Sequence, residues 1–339
     1  MEKSTIYILS DGCYPTEDLY FRGAVSARIK KKGMGREKYI NCKQTHPDFL
    51  KSRLCENDVI IIFRTLPPAW ALSMPEFHEQ AHKIVYVVDD DLRAAASTEA
   101  LPQNYRERIG HFSEHYHRVI LDHSHLLVVS SRYLAGQYVD YNPLLLPPSL
   151  LINKQKCSDS NARKKWICYH ATRSHEKDLE FIAPALRKIL VSPNAGFESL
   201  IGDSTPRDLS SRPNVIVRQP KSWRGFKLFQ RICTRHIGLA PLLDSPYNRG
   251  KSHIKFLDIA AVGAVGIYSN REPYSDIVIH GDNGFLANDD PDEWFHYINL
   301  LISNPKLMSD MAFNARETAY KIGHPRRAYR FWRQLLDKN

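Results

Sequence analysis

The chain has 339 residues, too many for one small hydrophobic core and suited to two domains. Hydrophobic residues make up 43% and charged residues 25%, as in ordinary globular proteins, and no apolar run approaches bilayer length. Net charge is +10, and all of the excess lies in the second half: residues 1–150 carry 18 basic and 18 acidic residues, residues 151–339 carry 29 and 19. Such a field favours anionic partners. The opening MEKSTIYILS lacks the long apolar stretch and small-residue cleavage site of a signal peptide. Cysteines at 13, 42, 55, 157, 168 and 233 form no C-x-x-C and no zinc-spaced pair with histidine, so unlinked thiols in a reducing cytoplasm are expected.

Along the chain, short apolar runs at 6–10, 59–64, 84–88 and 126–131 predict strands, with amphipathic helices over 23–32 and 105–121. NPLLLPPS at 142–149 and the polar stretch 154–165 read as a linker. The rhythm then restarts. Strands are predicted at 166–171, 198–202, 215–218, 237–242 and 264–269, with helices over 178–190, 252–262, 291–303, 307–320 and 326–336. Strands alternating with helices imply parallel sheets covered on both faces. The expectation is α/β: two doubly wound Rossmann-like domains facing a cleft, 1–150 and 151–320, followed by a basic helix in 321–339 able to pack back on the first domain. Basic clusters fall at Lys154, Lys156, Arg163, Lys164, Lys165 and at Arg326, Arg327, Arg330, Arg333.

Ligands of such sheets bind beyond the carboxyl ends of the strands, so residues following strands carry the functional reading. Gly250-Lys251-Ser252 has the ending of a phosphate-binding P-loop. The first glycine of that motif would stand at 245, where the chain has Ser245 and then Pro246, which has no N–H to offer. A helix beginning near Lys251 or Ser252 is the better reading. It would set Lys251, Lys255 and Asp258 on one face, with free N–H groups and the positive dipole end toward a phosphate. Asp258 would then lie about 10 Å along the axis, the reach from a diphosphate to its ribose. The plain alternative is an amphipathic helix with a Lys-Asp pair.

The stretch NRGKSHIKFLDIAAVGAVGIYSNREPYSDIVIHGDNGFL, 248–286, resembles the donor-binding region of GT-B glycosyltransferases of the "group 1" kind, the bacterial cell-surface polysaccharide type. The resemblance rests on Asn248-x-x-Lys251-Ser252, the acidic Asp258 near a helix end, the small residues after it, a loop with Tyr274 and the Asn283-Gly284-Phe285 turn. YHATRSHEKDL at 169–179 matches the first strand–loop–helix of the donor domain, and Trp223 falls where the family often has Trp. The resemblance implies a nucleoside diphosphate sugar in the second domain. Asp258 would bind ribose, and Lys251, Ser252, Arg173 and Lys177 would face the diphosphate, with Lys255 a further substrate-binding candidate on the helical face between them. The wider family often has Glu-x7-Glu; Gly250 stands eight residues before Asp258, so no role carries over from the first Glu. His170 and His175 flank the donor loop.

In the first domain, Ser10-Asp11-Gly12-Cys13 and Tyr20-Phe21-Arg22-Gly23 follow the first strand as the family's N-terminal loop and Arg-Gly helix start do, which makes Asp11 and Arg22 binding candidates. Asp89-Asp90-Asp91 follows the strand at 84–88. Adjacent carboxylates repel, raising at least one pKa unless a cation is near. Asp89 or Asp90 is the candidate base toward an acceptor hydroxyl, with Asp91 a helix cap. No metal is expected and no cofactor beyond the donor. The acceptor would be a saccharide or a lipid-linked one, with peripheral contact on an anionic membrane and no nucleic acid. The competing readings are a nucleotide-sugar epimerase, an NTP-using phosphotransferase, and a non-catalytic anion- or nucleic-acid-binding module.

Overall fold

A computed structural model describes residues 4–12, 14–153 and 157–336. Cys13, Lys154 and Lys156 lie outside the described residues, as does the side chain of Arg173. The chain forms two compact units. The first comprises Met1–Leu151, Arg249–Ser252 and His324–Asn339; the second comprises Ile152–Asn248 and His253–Gly323.

The first unit is built on six parallel strands: β1 (Thr5–Ser10), β2 (Arg36–Asn41), β3 (Val59–Phe63), β4 (Lys83–Val88), β5 (Leu126–Val129) and β6 (Leu144–Leu145), in the order β2-β1-β3-β4-β5-β6. The central strand VIIIF is buried at every position, as a parallel sheet covered on both faces requires. The edge strand β2, REKYIN, is half-exposed and charged, which hides it from a reading based on apolar runs. The second unit repeats the plan with β7 (Lys165–Tyr169), β8 (Ala195–Ser199), β9 (Val215–Val217), β10 (Ile237–Ala240), β11 (Val265–Ser269) and β12 (Phe285–Ala287), in the order β12-β11-β10-β7-β8-β9. Its core joins Ile167, Phe197, Ile237, Val265 and Ile267 of the sheet to Leu179, Ile182 and Leu186 of the helix Glu176–Ile189 and to Trp294 and Ile298 of Pro291–Ser303.

Two expected helices differ. The predicted 105–121 is two helices, Gln103–His115 and His117–Asp122, divided at Tyr116, where φ is −123°. The side chain of His117 is fully buried between Tyr86 and Tyr138, and the break turns it inward. The predicted 252–262 begins later, at Ile254, with His253 as its cap residue. The last helix, Pro325–Leu336, belongs to the first unit. Trp332 is fully buried there, donates from Nε1 to the Tyr20 carbonyl at 2.7 Å and meets the Phe21 ring edge-on at 5.0 Å. Among the described residues no helix is long and apolar enough to cross a membrane.

In each sheet the strand order reverses once beside the first strand, between β1 and β3 in one unit and between β7 and β10 in the other. Those switch points are where open α/β sheets hold ligands.

Candidate functional site

In the first unit the carboxyl ends of β1, β3 and β4 bring acids and bases together. Asp11, directly after β1, is 8% exposed. Its Oδ2 accepts from Thr65 Oγ1 at 2.7 Å and from Arg108 Nη1 at 3.2 Å, with Lys43 Nζ at 3.7 Å. Arg22 does not face this group: it pairs with the buried Glu17 at 2.8 Å and lies 3.9 Å above the Tyr39 ring. Asp89 and Asp90, after β4, share Arg64, after β3. The Arg64 Nε is 3.4 Å from Asp89, and its Nη2 is 3.0 Å from Asp90. Thr16 Oγ1 donates to the other oxygen of Asp89 at 2.7 Å, and Lys251 Nζ is 2.8 Å from Asp90. Burial pushes the Asp89 carboxyl above its ordinary value, against the pull of Arg64 and with the repulsion of Asp90. Asp91 caps the helix Leu92–Ser97 by accepting from the Ala94 N–H at 2.9 Å.

Arg64 holds its guanidinium there from a left-handed backbone, φ 58°, uncommon for a side-chain-bearing residue. A buried chain supports that conformation. Tyr86 donates to the Arg64 carbonyl at 2.6 Å, so its oxygen must accept from His117 Nδ1–H at 2.9 Å. His117 Nε2 then accepts from Tyr138 at 2.9 Å. Burial pushes the imidazole pKa down to about 3, and for the neutral ring this chain fixes the tautomer.

The placement of Lys251 and Ser252 corrects the sequence expectation. They precede the helix Ile254–Ala261 rather than start it, and the segment Arg249–Ser252 groups with the first unit. The single helical face holding Lys251, Lys255 and Asp258 does not form. Ser252 instead lies buried beside the buried Tyr20 hydroxyl, and the Gly250 carbonyl accepts from Ser131 Oγ at 3.3 Å. Gly250 is the residue this approach allows: a Cβ there would stand 2.8 Å from Asp91 Cβ.

In the second unit, His170 follows β7 and lies 7% exposed. Lys255 donates to its carbonyl and sits 3.8 Å from Asp258 on the same helical face. Asp258 accepts from Gln230 Nε2 at 2.8 Å, and burial pushes its pKa up despite Lys255. His170 Nε2 reaches Glu198 at 3.1 Å. Glu198, fully buried in β8, is also gripped by Arg218 Nε at 2.7 Å and by Arg235, Nε at 3.0 Å. Burial alone would raise the Glu198 pKa, but the bonds from His170, Arg235 and Arg218 outweigh it and bring it down to about 2. Arg218, after β9, and Lys255, on the helix after β10, reach this group from the carboxyl side of the sheet, whereas Arg235 enters from before β10; cations beside the strand ends suit a phosphorylated ligand.

Other candidates have different surroundings. Asn248 supports its own loop, donating from Nδ2 to the Leu243 carbonyl at 2.8 Å. His175 Nδ1 bonds Asp178 at 2.7 Å, and Asp178 accepts from the Leu243 N–H at 2.9 Å, joining the loops after β7 and β10. Lys177 is exposed in the first turn of its helix. Tyr274 is core rather than pocket, 2% exposed with its ring 5.1 Å from Tyr268. His170, Glu198 and Cys233 each bring a ligand atom within 4.8 Å of the others. Two guanidiniums already hold both oxygens of that carboxylate and would repel a cation, so the set does not fit a metal.

Sequence reasoning missed Arg64, Thr65, Glu198, Arg218, Gln230 and Arg235. Arg64 and Thr65 carried a usable signal, because they follow VIIIF directly at the end of a central strand. Glu198 was a carboxylate inside a predicted buried strand, a position that demands cationic partners.

No protein-family model and no curated protein matches the sequence. Solved structures match it in shape. A glycosyltransferase from Rickettsia africae ESF-5 superposes with a TM-score of 0.62 at 11% identity, over 100% of both chains. Anabaena Alr3699/HepE, solved in complex with UDP, gives 0.60 at 13% identity over 98% of this chain and 99% of its own. TarM gives 0.60 at 10% identity over 86% of this chain, which spans 57% of TarM. The chain has the GT-B glycosyltransferase fold.

Proposed function

We propose that the protein is a glycosyltransferase that moves a sugar from a nucleoside diphosphate sugar to an acceptor hydroxyl, in the synthesis of a cell-surface polysaccharide or glycolipid. The observation that carries this reading is the group around His170 in the second unit, where Lys255 and Arg218 stand beside the carboxylates Asp258 and Glu198, on a fold shared with a protein solved in complex with UDP. Asp258 accepts hydrogen bonds from the ribose hydroxyls in place of Gln230. Lys255, with Arg173 and Lys177, offsets the charge that grows on the leaving diphosphate as the glycosidic bond breaks, an electrostatic strategy needing no covalent intermediate. In the first unit Asp89 or Asp90 takes the proton of the acceptor hydroxyl. Arg64 and Lys251 keep Asp90 charged, and burial holds the Asp89 pKa nearer the working range of a base. A lipid-linked acceptor and contact with an anionic membrane belong to this reading.

The test is thermal unfolding with a panel of nucleoside diphosphates and their sugars, UDP compounds first. A ligand bound only by the folded protein at a hundred times its Kd adds about 2.7 kcal/mol and raises the melting point. Asp258→Ala should abolish most of the rise, by roughly tenfold or more in Kd. If no nucleotide sugar shifts the melting point at millimolar concentration, the reading fails.

A further inference from the structure

The first unit is charge-balanced in sequence over 1–150, yet its fold gathers a basic surface from the two ends of the chain. The helix Arg22–Lys32, RGAVSARIKKK, packs beside Pro325–Leu336, PRRAYRFWRQLL, and neither contains an acidic residue. Trp332 meets Phe21, just before the first of these helices, and Tyr329 reaches Met34, just after it, so the last helix lies against the other along its length. Ala24, Val25 and Ile29 of one helix and Ala328, Trp332 and Leu336 of the other face inward. Lys30, Lys31, Lys32, Arg326, Arg327 and Arg330 are left exposed. The arrangement crowds like charges. Arg28, Arg326 and Arg330 all act on His324, whose pKa is pushed down by burial and then by these neighbours. Arg28 Nη1 is buried with no hydrogen-bond acceptor. Arg22 has its acid in Glu17, but neither helix supplies a carboxylate to the exposed cations, and these favour an external anion.

We propose that this two-helix surface docks the protein on an anionic lipid bilayer. The charges are spread along two helices lying side by side, on long flexible side chains, which fits a plane of headgroups. A single-stranded nucleic acid would need exposed aromatic platforms for its bases. Here Trp332 is buried and Tyr329 is turned onto Met34. Each Lys or Arg near an anionic membrane adds attraction that fades within a Debye length. The proposal names the membrane-contact surface left open in the transferase reading, but its test does not depend on nucleotide binding.

The experiment is co-flotation of the full chain with vesicles of phosphatidylglycerol and phosphatidylcholine, against phosphatidylcholine alone, at low and high salt. The protein should float with the anionic vesicles only and be released by salt. Charge reversal at Arg326→Glu, Arg327→Glu and Arg330→Glu should lower the bound fraction by roughly tenfold or more. Neutralising Lys30→Gln, Lys31→Gln and Lys32→Gln serves as a second variant that spares the packing of the last helix. Reversal at Arg163 and Lys164 in the second unit should change nothing. Wild-type protein remaining with the supernatant at low salt would overturn the proposal. So would variants that float undiminished, or tighter binding to duplex DNA or heparin than to vesicles, which would mark a soluble polyanion site instead. Nucleotide-induced stabilisation, measured on the same variants, should be unchanged.

Discussion

Glu198 shows how one buried charge organises its surroundings. It is fully buried, and three side chains, His170, Arg218 and Arg235, converge on its two oxygens. Removing the charge leaves the largely buried Arg235 guanidinium without its partner, while the more exposed Arg218 turns to solvent, and breaking a buried pair costs about 3–5 kcal/mol. Glu198→Gln should therefore lower the urea midpoint of the second unit by a corresponding amount. The folded carboxyl has a pKa of about 2 against an ordinary 4.5, so its contribution is complete above 4.5 and is lost as pH falls toward 2. The variant should show a flatter acid limb over that interval. Lys251 acts in the same way on Asp90 in the first unit. Under the transferase reading, Lys251→Ala should cut turnover by roughly a hundredfold, a typical contribution of a tuned acid–base group, while nucleotide affinity stays within about twofold. Turnover near wild type would remove Lys251 from the machinery.

At the scale of elements, the site depends on close approach between strand and helix. Gly238 in β10 faces the helix Ile254–Ala261 so closely that a Cβ would stand 2.5 Å from Ile259 Cγ1. That contact sets how near Lys255 and Asp258 lie to the sheet. Gly238→Ala should destabilise the second unit by about 1–3 kcal/mol, the usual cost of overpacking, and weaken nucleotide binding with it. Ile259→Ala in the same background should recover part of the loss, because the colliding atoms are side-chain atoms; urea melts of the single and double variants decide it. The late start of this helix has a local cause. Arg249–Ser252 is drawn to the first unit by the Ser131 bond to Gly250 and the Lys251–Asp90 pair, so helical hydrogen bonding begins only after His253.

For the molecule as a whole, the pH response divides between the units. His117 is neutral in the folded first unit, with a pKa of about 3 against an ordinary 6.5. The unfolded chain binds its proton first, so stability is full above 6.5 and falls as pH drops from there toward 3. Urea denaturation should show the first unit weakening below pH 6.5, before carboxylates near 4.5 titrate. His117→Phe should abolish that early decline and, by unseating the Tyr86 link to Arg64, slow transfer as well. A first unit equally stable at pH 7 and pH 5 would contradict the buried neutral assignment.

Apolar runs such as VIIIF and KIVYVV, set between amphipathic helices, were enough in the sequence to show two parallel-sheet units, because a strand buried on both faces needs hydrophobic residues at every position. Residues after those strands could likewise be marked as site candidates, and Asp11, Asp89, Asp90 and His170 do stand at carboxyl ends. Edge strands β2, β6 and β12 were not legible, being short or half-solvated. Only the tertiary structure decided the partners. Local spacing carries no information on which cation, separated by many residues, meets a given carboxylate. Arg64 and Lys251 meet at Asp90, Arg218 and Arg235 meet at Glu198, and Lys251 leaves the helix on which spacing had placed it. Burial of charge imposes such pairings, and burial is settled by how sheets and helices close on one another rather than by neighbours in sequence.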